Sequence, residues 1–254
     1  MTDSGARFNP GSRLLFSWVP IYNKHAEINH ERAMMKTLIA VRHGNTFRRG
    51  ETPTRVGART DLPLVEKERG HAIGRHLAAI GLIPDRVLAA PLLRTMETAR
   101  LAVGELGVAR DVTPIEAFRE IDYGPDENQP EEHVIARIGQ AAIDAWNRDA
   151  LVPPGWLVDT VAIIDAWRQL AATIADGERV LLVTSNGILR FAPYILAGSP
   201  DASSGNGSDP ACCSGSSYAE FCATHDMKVA TGHLCIFTGS GMGWRCDTWN
   251  RKPG

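Results

Sequence analysis

The chain has 254 residues, 44% of them hydrophobic, enough apolar material to fill the core of one large α/β domain or two small ones. Its 27 basic and 29 acidic residues leave a formal net charge of -2, which excludes an overall field that would gather nucleic acid or an anionic membrane, so any basic site must be local. No apolar run approaches the roughly 20 residues of a membrane helix, and the five cysteines are an odd number in a chain long enough to fold without disulfide staples. These features together predict a soluble, cytoplasmic protein with no nucleic-acid or membrane partner.

Residues 1–35 mix polar side chains with a few aromatics and follow neither a helical nor a strand period. They read as a poorly ordered extension outside a domain occupying 36–254. Residues 37–41 form a short apolar run that stops at Arg42-His43-Gly44, the pattern of a buried strand feeding a loop. A Gly- and Arg-rich loop runs to Pro63, and residues 66–80 then carry Ile73, Leu77 and Ile80 at helical spacing. Residues 85–89 read as a second strand, 92–106 as a helix and 112–115 as a third strand. Helices are expected over 131–146 and over 161–174, the latter with Ile164, Trp167, Ala171 and Ile174 on one face. The run 179–184 is apolar without alternation, which assigns it to a sheet covered on both faces.

Beyond it, residues 199–217 are rich in Ser, Gly, Asp and Pro and open a flexible insertion over about 199–227. Residues 229–238 and 244–249 flank Gly239-Ser240-Gly241-Met242 as a C-terminal β-hairpin. With its turn centred on Ser240-Gly241, Cys235 and Cys246 would face each other. Strands alternating with helices predict an α/β fold, a three-layer α/β/α sandwich around a mostly parallel central sheet.

In such sheets ligands bind beyond the carboxyl ends of the strands, and there the chemistry converges. The first strand delivers Arg42 and His43, the second leads to Arg94 and the third to Glu120. Two guanidiniums supply rigid bidentate donors for the oxygens of a transferring phosphoryl group. Their charge disfavours protonation of His43 and holds its imidazole in the neutral, nucleophilic form. Glu120 is the candidate general acid for the leaving oxygen, its proton retained beside a bound phosphate dianion. Asp122 and Glu127 lie close enough to compete for that part. Asn45 and Thr46 are placed to line a phosphate pocket. Arg55 and Arg59 either orient substrate anions or belong to a solvated basic loop. The array Cys212-Cys213-x8-Cys222-x2-His225 matches no common paired-ligand spacing, and neither a metal nor a cofactor is expected.

These residues stand in four ordered motifs: Arg42-His43-Gly44-Asn45-Thr46, Gly57-x-x-x-Asp61-x-Pro-Leu64, Pro91-Leu-x-Arg94-x-x-x-Thr98-Ala99, and Glu120 ahead of Tyr123-Gly124. In them the chain resembles the histidine phosphatase superfamily, also called the phosphoglycerate mutase-like family, from about residue 37 to 249. The resemblance implies a phosphohistidine on His43, with Glu120 as acid and then base. It breaks at one point. The family carries a second histidine after the last parallel strand, where this chain has Thr184-Ser185-Asn186-Gly187. Aligning on Gly187 and Arg190 puts Ser185 in its place, and sliding by one puts Asn186 there. Either can donate a hydrogen bond to a phosphoryl oxygen, but neither brings a positive charge. Loss of one such donor costs about 10²–10³ in rate, so the branch implied is one with reduced activity.

The short, acidic segment 124–132 disfavours a trianionic sugar-acid substrate. The reading is therefore a phosphomonoester phosphatase acting on a small phosphorylated substrate. The alternatives are a pseudophosphatase that binds phosphorylated ligands and a mutase-like phosphotransferase. Self-association into a homodimer is left open.

Overall fold

A computed structural model of the protein describes residues 35–196, 215–241 and 243–254; the N-terminal extension and the first part of the insertion lie outside them. The strands are β1 (Lys36–Arg42), β2 (Arg86–Ala89), β3 (Val112–Pro114), β4 (Arg179–Thr184), β5 (Leu234–Ser240) and β6 (Gly243–Arg251). They form one sheet in the order β3-β2-β4-β1-β5-β6. The β1–β4, β2–β4 and β2–β3 pairs are parallel, and the C-terminal hairpin β5–β6 adds antiparallel to β1.

Successive strand side chains point to opposite faces, and here each face is covered. Ile39, Val41, Val87, Ala89, Leu181 and Val183 pack with Ile73 and Leu77 of α1 (Glu68–Ala79) and with Ala99 and Ala102 of α2 (Leu93–Gly104). On the other face Leu38, Ala40, Leu88, Val180 and Leu182 pack with α3 (Glu131–Ile138), α4 (Gln140–Asp149) and α5 (Thr160–Thr173) through Val134, Ile143, Trp146, Ile163 and Trp167. This is the expected three-layer sandwich. Two short helical turns, Glu116–Phe118 and Gly124–Asp126, bracket Glu120. Among the described residues no helix is long and apolar enough to cross a membrane.

Three sequence expectations need correction. The helix expected over 131–146 is two helices, because Gly139 between them adopts φ 83°, a conformation in which the helical hydrogen-bond ladder cannot continue. The insertion is not loop throughout: α7 (Gly215–Thr224) forms in its second half, where Tyr218 and Phe221 pack with Met227 into a small apolar cluster of their own. Between β4 and α7 lies α6 (Asn186–Leu189). Finally, the hairpin closes on Ser240 opposite Gly243, one residue beyond the expected centre. Cys246 therefore pairs with Phe237 rather than Cys235, and both cysteines are free thiols.

Candidate active site

The sheet brings the candidate loops together at one level. In the parallel β1–β4 pair Arg42 stands opposite Thr184, so the segments beginning at His43 and Ser185 leave the sheet side by side. The backbone N–H of His43 donates to Thr184 O at 3.0 Å. Thr184 Oγ1 donates to Phe118 O at 2.7 Å, tying the segment that carries Glu120 to the same strand end. From the other side, Gly232 N donates to the carbonyls of both Arg42 and His43, and Arg42 Nη1 donates to Val229 O at 2.6 Å. The result is a cleft of about 750 Å³ lined by Arg42, His43, Asn45, Thr46, Glu120 and Asn186, among others.

His43 is buried, 6% exposed. Its Nδ1 lies 2.7 Å from Gly44 O, a contact that requires the proton on Nδ1 and leaves the Nε2 lone pair free. Burial holds the imidazole well below its ordinary range of protonation, and the nearby charges of Arg94 and Arg42 add to that depression. The Gly44 loop is anchored in turn by Thr98, whose hydroxyl accepts from Gly44 N at 3.0 Å and donates to Arg94 O at 2.7 Å. Thr98 thus links two of the four motifs.

Arg94 is fully buried. Its guanidinium donates to Thr60 O, Val56 O and Gly57 O at 2.8, 3.3 and 3.2 Å, so the loop that bears the Gly57 and Asp61 motif wraps around it. Asp61 caps α2 through its carboxylate, which accepts from Leu93 N at 2.7 Å, favourable at a helix N-terminus. A Cβ on Gly57 would lie 2.2 Å from Glu127 Oε2 and 2.7 Å from Ile121 O, which is why that position is a glycine. Arg94 does not line the cleft; its charge reaches His43 and Glu120 from within the wall.

The three carboxylates differ in their partners. Asp122 accepts from Arg59 and from Gly124 N. Glu127 accepts from the backbone of Gly57, Arg59 and Tyr123 and from Thr60 Oγ1. Both are committed to holding loops. Glu120 is buried in the cleft wall, accepting from Ile121 N at 3.0 Å and Gly187 N at 3.3 Å. Burial raises its pKa above the ordinary carboxyl value, against the opposing pull of Arg94, these two amides and Arg42. A Cβ on Gly187 would stand 2.2 Å from Glu120 Oε1. Gly187→Ala is therefore expected to cost about 1–3 kcal/mol of stability, read by thermal denaturation, and to displace the carboxyl group; an unchanged melting temperature would contradict this packing.

Asn45 is held between Glu66 and Thr231, donating to the first at 2.8 Å and accepting from the second at 2.5 Å. Thr46 lines the cleft beside it. The two residues standing for the second histidine part company. Asn186 lines the cleft, its Oδ1 accepting from Val229 N at 2.8 Å, whereas Ser185 is fully buried, lies outside the lining, and its hydroxyl has no hydrogen-bond partner. His43 is the one histidine among the described lining residues. Arg55 also lines the cleft, stacked 4.8 Å over the Trp156 ring and paired with Glu131 at 2.7 Å. Arg59 is absent from the lining.

Residues given no cleft role from sequence complete the wall: Tyr123, Trp146, Arg190, Lys228 and Thr231. Arg190 follows β4 by one short helix; in the sequence it and Tyr123 served only as motif positions. Nothing local marked Lys228 or Thr231, which enter through the segment before β5.

A buried imidazole and a buried carboxyl group thus share one cleft wall with Arg42, at the strand ends of a three-layer sandwich, with Arg94 buried behind them. The chain belongs to the histidine phosphatase superfamily (branch 1), whose family model matches residues 38–223. It is 30% identical over 173 residues, 65% of this chain and 83% of the relative, to a 2,3-bisphosphoglycerate-dependent phosphoglycerate mutase of Beijerinckia indica subsp. indica. A protein of the same name from Methylobacterium radiotolerans is 29% identical over 178 residues, 66% of this chain and 82% of the relative. Among solved structures, the fold matches a mycobacterial glucosyl-3-phosphoglycerate phosphatase at a TM-score of 0.62 and 19% identity, covering 85% of this chain and 99% of that one. It also matches the alpha-ribazole phosphatase of Shigella flexneri at 0.60 and 18%, covering 85% and 96%.

Proposed function

We propose that the protein hydrolyses phosphomonoesters in two steps through a phosphohistidine on His43. Nε2 attacks phosphorus, the bond from phosphorus to the ester oxygen breaks, and Glu120 gives its proton to the departing alkoxide. Water then attacks the phosphohistidine, Glu120 takes a proton from it, and inorganic phosphate leaves with rupture of the nitrogen–phosphorus bond. Arg42 and Arg94 carry the developing charge, with hydrogen bonds from Asn45, Thr46 and Asn186. The observation that carries this reading is the 2.7 Å contact of His43 Nδ1 with Gly44 O, which places the proton on Nδ1 and leaves Nε2 as a free lone pair beside Arg42 and the buried Arg94.

Glu120→Gln separates the acid from the nucleophile. With an alkyl phosphate, kcat should fall by about 10²–10⁴, whereas p-nitrophenyl phosphate, whose leaving group departs without a proton, should lose far less. Equal losses on both substrates would refute the acid assignment. The pH profile has a definite sign. His43 must be neutral, and its depressed pKa puts the acid limb of kcat/KM well below the imidazole reference of about 6.5. Glu120 must be protonated, so the alkaline limb follows its raised pKa and should vanish in Glu120→Gln.

The second reading, a pseudophosphatase that binds phosphorylated ligands, draws on Ser185 and Asn186 standing where the family has a charged donor. Label retained on His43 without release of phosphate favours that reading. Transfer of the label to a diol acceptor instead favours a mutase-like phosphotransferase, the activity for which the two curated relatives are named.

A further inference from the structure

Arg190 is out of place for a residue that only packs. It is 3% exposed, yet it lines the cleft. Its Nη1 donates to Trp146 O, its guanidinium carbon lies 4.1 Å from the Trp146 ring centre, and its Nε has no hydrogen-bond partner. Among the described residues no carboxylate pairs with it. Glu120 acts on it only through space; a guanidinium taken out of water without a directly paired anion is unfavourable, and an anion delivered by a ligand would offset that cost. The position is also held rigidly, since Tyr218 of α7 donates from its hydroxyl to Arg190 O at 3.1 Å.

The surroundings point the same way. Six basic side chains line the cleft against three acidic ones, although the chain as a whole is slightly acidic. Of the three acids, Glu66 is engaged by Asn45 and Arg69, and Glu131 by Arg55. The basic groups also fall into two sets. Arg42 donates to Val229 O beside His43, whereas Arg190 and Arg55 stack on the adjoining rings of Trp146 and Trp156. At about 750 Å³ the cleft has room for much more than one phosphate, being within the usual range for sites that enclose a whole small molecule.

We infer that the cleft holds a second anion subsite, built on Arg190 with Arg55 and Lys228 beside the Trp146 ring, which takes a carboxylate or phosphate carried by the substrate beyond the ester that is cleaved, against the sequence expectation that disfavoured a trianionic sugar acid. The inference rests on the phosphatase reading for the word substrate, but the subsite itself is a binding claim and is tested as one.

The probes are ω-carboxyalkyl and ω-phosphonoalkyl phosphates set against ω-hydroxyalkyl phosphates of matched chain length. Binding is measured by calorimetry in His43→Ala, which does not turn over. An acid-ended probe of the right length should bind about 10- to 100-fold more tightly than its hydroxyl-ended partner, the range of one charge-assisted hydrogen bond. The better acid end identifies the group. Adding Arg190→Met should erase most of that preference. Should that variant not fold, Lys228→Glu at an exposed position must cut the preference by about tenfold. No preference at any chain length, or one that persists in the variant that folds, overturns the subsite. Absence of hydrolysis by the wild type, with the preference intact, would instead overturn the phosphatase reading alone.

Discussion

His43→Ala should lower kcat on an aryl phosphate by about four orders of magnitude or more, the scale on which loss of a covalent nucleophile acts. The remaining cationic wall can still bind phosphate, so the loss should appear in kcat far more than in KM. Rapid-quench experiments with a labelled phosphoester should give a phosphoryl group on wild-type His43 that survives alkali and is lost in acid, and none in the variant. Because the side chain is 6% exposed and its one hydrogen bond is to its neighbour's carbonyl, the variant should still fold. A variant that folds and retains wild-type turnover would end the nucleophile assignment.

Arg94→Met should damage folding and chemistry together. The wild-type guanidinium serves three carbonyls, those of Val56, Gly57 and Thr60, and a thioether serves none. Leaving buried acceptors unsatisfied costs about 1–3 kcal/mol apiece. A loss of about 3 kcal/mol in a chain of this size corresponds to a fall of roughly 6–12 °C in Tm. Removal of one charge donor from the transition state should take a further 10²–10³ or so from kcat. The pH profile adds a readout that packing damage would not move. Arg94 contributes to the depression of His43, so its loss should move the acid limb of kcat/KM upward, toward the imidazole reference. Arg94→Lys should restore part of that depression but not the stability, since an ammonium lacks the planar fork that bridges three carbonyls. Activity within about tenfold of wild type in Arg94→Met would remove this residue from the site.

Residues 37–41 and 179–184 were legible as buried strands because both faces of the sheet are covered, which imposes continuous apolar character on them. The helix carrying Ile73 and Leu77 was legible because only one of its faces meets the sheet. The break at Gly139 was not, since a lone glycine inside a helical pattern is compatible with either outcome until the backbone takes its positive φ. The hairpin turn was misplaced by one residue, and the pairing therefore by two, for a similar reason: a Gly-rich turn tolerates neighbouring centres, and the packing of the flanking strands chooses between them. The Ser- and Gly-rich composition before α7 concealed the helix, whose formation depends on Tyr218 and Phe221 finding an apolar cluster.

The same division runs through the site. Residue types and their order along the chain already offered a candidate nucleophile at a strand end, two arginines and a carboxyl group, because each of these is a matter of local chemistry; the missing imidazole came only from the family resemblance. Tertiary structure decided the rest. Which carboxyl group lies buried in the cleft wall depends on Asp122 and Glu127 finding partners in another loop, and which of Ser185 and Asn186 faces the cleft depends on the turn after β4. That Arg190 is a buried cation with no ion-pair partner among the described residues depends on Trp146 and Tyr218 of α7 packing about it. Desolvation and unsatisfied charge are properties of the space around a residue, and distant segments of the chain create that space only when they pack.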